Sequence, residues 1–153
     1  MKQMIAAAGL LLMLAACGGE KNVSLENTQW KLQSAAGIPT GAIEAEADNF
    51  TLNFEARTVS GRTNCNLFFG EYATEGSKIE FSQMGMTRMA CPDMEYEDRF
   101  TKLLDETDRF EVRGDELTLF DDSRKLAVFK KSAAAEPQQA ETSDSTPAAS
   151  AGK

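Results

Sequence analysis

Residues 109–130 read RFEVRGDELTLFDDSRKLAVFK, and this stretch decides the fold. Apolar side chains recur at every second position in three short runs, which is the period of a half-buried strand. Turn-forming residues separate the runs at 114–115 and 121–123. The stretch therefore predicts a three-stranded antiparallel meander. The side chains expected on its core face are Phe110, Val112, Leu117, Leu119, Leu126 and Val128.

The same two-residue period occurs upstream and predicts further strands at 28–34, 50–55, from Val59, at 67–73 and at 78–81. The period changes at 92–108, where apolar residues at helical spacing predict one helix with a solvated charged face. Its core face is expected to carry Tyr96, Phe100, Leu103, Leu104 and Thr107. Many short strands with one helix predict a mostly β, α+β fold, in which a curled antiparallel sheet or partly open barrel packs on the helix.

The amino-terminal residues predict a secretory signal. Lys2 precedes an apolar run at 4–16, which is too short to cross a bilayer core of roughly 30 Å. The run ends in Leu-Ala-Ala-Cys, which resembles the bacterial lipobox, where the cysteine is acylated and becomes the mature amino terminus. We therefore expect a signal peptide at 1–16, lipidation at Cys17 and a tether at 17–26. The alternative is an ordinary secretory signal that happens to end in cysteine.

The lipobox resemblance implies a location in the cell envelope. Several acyl chains on Cys17, palmitate among them, would anchor the protein stably to a membrane. Gly18 follows the cysteine and no Asp takes its place, a pattern similar to that of lipoproteins sorted to the outer membrane. One domain is expected at 27–132. The segment 133–153 lacks aromatic and branched aliphatic residues, so we expect a disordered tail.

Charge and composition exclude several functions. The chain has 153 residues, with 16 Lys and Arg against 24 Asp and Glu, and its net charge of −8 argues against binding nucleic acid. Because it has no polybasic patch, contact with the membrane is expected through the lipid anchor alone. The chain has no His, which removes the commonest general base and metal ligand. No spacing marks a nucleophile with its base, so we predict no catalytic residue, cofactor or metal.

Cys65 and Cys91 remain as an even pair in an oxidising compartment, which favours a disulfide. Closing a loop of about 27 residues would stabilise the fold by roughly 3–4 kcal/mol. Two reduced, buried thiols are the alternative. A metal site built on two cysteines without His is less favoured.

Three motifs together resemble the META/HslJ family of small bacterial domains. They are VSG with NCN within 59–66, FGEY at 69–72 and MTRMAC at 86–91. The resemblance implies a compact β-rich domain with one helix, often on a lipoprotein, and no established reaction. Relatives are associated with heat shock and novobiocin tolerance. The family fold is similar to that of secretin pilotins, which bind lipid or the tail of a partner.

Thr87 and Arg88 are the candidates for contact with a ligand or partner, because Arg can bind a carboxylate or phosphate. A salt bridge to a neighbouring acid is the alternative for Arg88. Four methionines, Met84, Met86, Met89 and Met94, form either an adaptable binding surface or core filling.

We expect a non-enzymatic, membrane-tethered envelope lipoprotein with an interaction, envelope-maintenance or stress role. Its partner would be an envelope protein or lipid. The alternative is a pilotin-like carrier of lipid or a small apolar ligand. A large apolar cavity would favour the carrier, and a filled core the interaction module.

Overall fold

The structure, a computed structural model, describes residues 25–46 and 48–132. Eight strands and two helices make up this part of the chain, so the predicted mostly β fold is confirmed. The short α1 adds to the single helix that was predicted. The elements are β1 (Gln29–Ala35), α1 (Thr40–Glu44), β2 (Thr51–Glu55), β3 (Thr58–Arg62), β4 (Leu67–Glu75), β5 (Lys78–Met86), α2 (Met94–Glu106), β6 (Arg109–Arg113), β7 (Glu116–Asp121) and β8 (Arg124–Ser132).

The strands form a closed antiparallel barrel in chain order, and β1 pairs with β8 to complete the ring. The β1–β8 ladder runs from Gln29 opposite Ser132 to Ala35 opposite Ala127. The contact between β5 and β6 is far shorter, because its register consists of Lys78 opposite Arg109. The connection between these two strands contains α2, so the barrel wall has its shortest ladder where the helix is inserted.

Aromatic side chains occupy the centre of the barrel. Phe100 of α2 is fully buried, and its ring centroid lies 5.3 Å from that of Phe50, 5.9 Å from Phe68 and 6.2 Å from Phe129. The helix therefore contributes the side chain that the surrounding strands pack against. Other side chains with almost no exposed surface are Trp30, Leu32, Leu52, Phe54, Val59, Leu117 and Leu119.

The predicted meander is present, but the prediction was wrong about which side chain of β8 faces the core beyond Leu126. Leu126 is buried as expected, but Val128 is only half-buried and Phe129 takes the core position instead. The β7–β8 register shifts between Leu119 and Phe120, which moves every later side chain of β8 to the other face.

The ends of two elements differ from the predictions. The helix begins at Met94 and not at Pro92, and it ends at Glu106. Strand β5 continues to Met86, five residues beyond the predicted run. This extension places Met84 and Met86 in the barrel wall.

The signal peptide, Cys17 and the tail lie outside the described residues, as does nearly all of the tether. Within the described residues, no helix is long and apolar enough to span a bilayer.

Candidate functional site

The barrel opens into a cavity where β5 leaves β6. Backbone bonds join the strands at one end only, from the Ile79 amide to the Asp108 carbonyl (3.1 Å) and from the Phe110 amide to the Ser77 carbonyl (2.9 Å). From there β5 continues alongside β4 to Met86, and α2 faces it across an opening in the wall. A cavity of about 590 Å³ lies between them, here called the β5–α2 cavity.

Methionines form much of its lining. Met84 and Met86 lie two residues apart on β5, so both point to the same face of the sheet, and both pack against the barrel core. Met94 lines the cavity from the start of α2, and Met89 from the connection between the two elements. Gly70 makes room for this arrangement, because a Cβ at that position would lie 2.3 Å from the Met84 sulfur.

The helix side of the cavity is acidic. Glu97, Asp98 and Asp105 line it from α2, and Arg88 lines it from the connection. Asp98 and Asp105 are exposed. The lining therefore has more acidic than basic groups on its helix side and apolar side chains on its strand side.

A buried polar network centred on Asn66 forms part of the cavity lining. The Asn66 amide nitrogen donates to the Met89 carbonyl (3.1 Å) and to the Glu97 carboxyl (3.0 Å). Its side-chain oxygen accepts from the Met89 amide (2.7 Å) and the Thr87 hydroxyl (2.8 Å). One side chain thus joins the β3–β4 turn to the connection and to α2.

Glu97 is the carboxyl group that sequence reasoning missed. No role was predicted for it from the sequence, and it is only 4% exposed. Its carboxyl accepts from the Thr63 hydroxyl, from the Asn66 backbone amide and from the Asn66 side chain. Its position in the sequence could have indicated this burial. Glu97 precedes Phe100 by three residues and Leu104 by seven, which places all three on one helix face.

The predicted disulfide joins the same segments covalently. The structure contains the Cys65–Cys91 bond, with a Cα–Cα distance of 6.0 Å. Cys65 lies in the β3–β4 turn and Cys91 lies just before α2. The bond therefore links the start of the helix to the sheet beside the Asn66 network.

The structure brings Thr87 and Arg88 together on the cavity rim with all four methionines. The Thr87 hydroxyl bonds to Asn66 and accepts from the Leu67 amide (3.1 Å), so it has a structural role. In the described part of the chain, none of the ion pairs within 4.0 Å includes Arg88. Its guanidinium is exposed on the rim, which leaves it available to an incoming group.

Three apolar side chains are strongly exposed close to the cavity. Leu67 (52% exposed) and Phe69 (59%) lie on the outer face of β4, and Met89 (52%) follows β5. The Thr87 amide donates to the Leu67 carbonyl at 2.9 Å, so β4 and the cavity rim are directly joined. We call Leu67, Phe69 and Met89 the outer apolar residues.

The side chains that commonly bind metal ions do not cluster in the described part of the chain. Among residues 25–46 and 48–132, no group of three or more His, Cys, Asp or Glu is placed to hold a metal ion.

Solved structures share this fold. An NMR structure of a protein from Burkholderia xenovorans is 28% identical, with a TM-score of 0.58, over 71% of this chain and 83% of that one. A second NMR structure is 23% identical (TM-score 0.55), over 69% of this chain and 90% of the other. The crystal structure of a DUF4847 family protein from Bacteroides vulgatus is 15% identical (TM-score 0.51), over 69% and 93%. The last two similarities concern the fold alone.

The search among curated proteins finds no match. The sequence model of the META domain matches residues 23–134, which include all eight strands and both helices. The chain therefore belongs to the META domain family.

Proposed function

We propose that this chain is a membrane-tethered lipoprotein of the bacterial cell envelope, without enzymatic activity, whose META domain binds a protein partner. The observation that carries the proposal is the β5–α2 cavity, with its adjoining outer apolar residues. The barrel centre is occupied by Phe100 and the aromatic rings around it, so binding is directed to the opened wall. Exposed apolar side chains clustered beside a cavity are typical of a protein contact site.

The strand beside the cavity offers a second kind of contact. Beyond Ile79, the paired residues of β5 lie opposite β4, and α2 faces the other edge of β5 across the cavity. An extended segment of a partner could lie along this edge, and main-chain bonds would then supply affinity while side chains enter the methionine-lined cavity. Flexible thioether side chains suit a surface that adapts to its partner.

Membrane attachment is tested at Cys17. Mass spectrometry of the mature amino terminus should find an acylated Cys17, and Cys17→Ser should leave the protein soluble or unprocessed. A mature chain that begins elsewhere with an unmodified end would contradict the tether.

Partner binding is tested by photo-crosslinking in intact cells. A photoreactive amino acid at Phe69 or Met89 should give a discrete protein adduct, because both side chains are exposed beside the cavity. The same amino acid at Lys130, which is exposed on β8, is the matched control. Equal adducts at all three positions, or none at 69 and 89, would contradict the proposed site.

A carrier of lipid or a small apolar ligand is the second candidate. Phe68, Met84 and Met86 give the cavity apolar lining, and its volume of about 590 Å³ lies in the range of small-molecule sites. The two candidates respond differently to two substitutions. Phe69→Asp on the outer face should remove a protein adduct and spare a bound lipid, whereas Met86→Trp should displace a lipid from the cavity.

A further inference from the structure

All four methionines of the described chain line the β5–α2 cavity. The other three methionines of the sequence lie within the first 13 residues, in the predicted signal peptide. Of the four methionines that line the cavity, two come from β5, one from α2 and one from the connection between these elements. Core filling alone gives no reason for this concentration, because the rest of the core is built from Leu, Ile, Val, Ala and aromatic residues.

We propose that these thioethers form a binding site for a soft monovalent cation, Cu⁺. Met84 and Met86 would bind it from the strand side and Met94 from the helix side. Met89, which is half exposed at the mouth, would close over the ion. Each thioether lies at the end of a flexible side chain, so sulfur atoms that share one cavity can converge on one ion.

The available donors favour a soft metal. Thioether ligands select Cu⁺, whereas imidazole and carboxylate ligands suit Zn²⁺, Mg²⁺ or Ca²⁺. The chain has no His, and the disulfide removes Cys65 and Cys91 as thiolate ligands. Methionine is therefore the soft donor that the domain brings together in one place.

The acidic groups do not form a competing hard-metal site. Glu97 already accepts hydrogen bonds from Thr63 and Asn66. Asp98 and Asp105 are two helical turns apart, a rise of roughly 10 Å, so they cannot share one small ion. Their charges nevertheless give the cavity lining an acidic excess, which attracts a cation and repels an anion.

The direct test is a Cu⁺ titration of the full-length chain in detergent, under anaerobic conditions with ascorbate and a chromophoric Cu⁺ chelator as competitor. We expect one Cu⁺ per chain and a higher melting temperature with the ion bound. Loss of even an outer-shell partner lowers metal affinity about 10–100-fold, so Met86→Leu with Met94→Leu should weaken binding at least about 100-fold. Leu conserves volume, so these variants should still fold.

Two controls separate this site from other soft ligands. Cys17→Ser should bind Cu⁺ as tightly as the parent chain, and a thiol assay should show that Cys65 and Cys91 remain oxidised during the titration. Replacement of all four methionines by Leu should abolish binding. No binding by the parent chain, or undiminished binding by the fourfold variant, would overturn the proposal.

A second measurement needs no substitution in the cavity. Ag⁺, a redox-inert soft monovalent cation, should shift the NMR signals of the Met84, Met86 and Met94 methyl groups in a titration of the parent chain. Unshifted methyl signals would also overturn the site. The proposal is independent of partner binding, because Phe69→Asp, on the outer face of β4, should remove the crosslinked partner and leave Cu⁺ binding unchanged.

Discussion

The two sides of this barrel are closed by different kinds of interaction. On one side, β7, β8 and β1 form long ladders, such as the one from Glu116 opposite Lys130 to Asp121 opposite Arg124. On the other side, β5 and β6 share one register pair, and α2 faces the rest of β5 across the cavity. There the wall depends on a disulfide, the Asn66 network and the packing of Phe100. The first side is held by many backbone bonds and the second by a few side chains.

This difference has a consequence for both stability and function. A ladder distributes its stabilisation over many residues, so no single side chain controls it. The β5–α2 side concentrates its stabilisation in a few contacts, and regions with few contacts open at lower free energy than the rest of a domain. The same side carries the cavity and the outer apolar residues. The proposed binding site therefore lies in the part of the barrel that we expect to open locally at the lowest free energy.

The largest effect is expected from removing the disulfide. Reduction, or replacement of Cys65 and Cys91 by Ala, should lower the free energy of unfolding by about 2–5 kcal/mol. The bond links the start of α2 to the β3–β4 turn, so the loss should fall on the β5–α2 side. Urea unfolding with and without reductant measures the total loss.

Hydrogen exchange locates this loss within the barrel. Amides of α2 and of the far half of β5 should lose protection first, while the β8–β1 ladder keeps it. A uniform loss over all strands would show that the two sides are not independent. Thiol counting in the untreated protein is the control that the bond was present.

A smaller loss is expected at Glu97. In Glu97→Gln, the new side-chain amide would face another donor, on Asn66 or Thr63, and one buried hydrogen bond would be lost. The free energy of unfolding should fall by about 1–3 kcal/mol, as measured by urea unfolding. Glu95→Gln is the matched control, because Glu95 lies two residues away on the exposed helix face. Equal effects of the two substitutions would contradict the role of the buried network.

Local patterns were sufficient to predict most of the barrel. The two-residue period placed the strands, and the change to helical spacing placed α2 within two residues at each end. The period could not predict Phe129 in the core in place of Val128. That outcome depends on a register shift opposite β7, which is a property of the paired strands and not of either strand alone.

The candidate site was predicted in part. The methionine cluster and Thr87 with Arg88 were recognised because they lie within one short segment of the sequence. The role of Glu97 was missed because its partners, Thr63 and Asn66, lie more than 30 residues away along the chain. The cavity could not be predicted, because it arises where β5 separates from β6. The two-residue period of one strand does not show how far that strand pairs with its neighbour.

The smallest effect is expected at Tyr72 of β4, which lies opposite Phe81 of β5. Its hydroxyl donates to the Glu26 carboxyl at 3.1 Å. Because Tyr72→Phe removes one partly buried hydrogen bond, it should lower the free energy of unfolding at pH 7 by about 0.5–1.5 kcal/mol. A loss as large as that of Glu97→Gln would show that this single contact stabilises the barrel as much as the buried Asn66 network does.

The pH dependence of stability gives the sharper test of this contact. Burial, together with the hydrogen bond to Glu26 and its charge, raises the pKa of Tyr72 from 10.0 to about 12. Above pH 10 the unfolded chain loses the phenol proton while the folded chain keeps it, so the unfolded state gains stability. The contribution of Tyr72 should therefore be present below pH 10.0 and decline as pH rises to about 12. Urea unfolding of the parent chain and of Tyr72→Phe across this range isolates the effect, because all other titrating groups are shared. If the two curves stay parallel over this range, the pKa of Tyr72 is not raised in the folded chain.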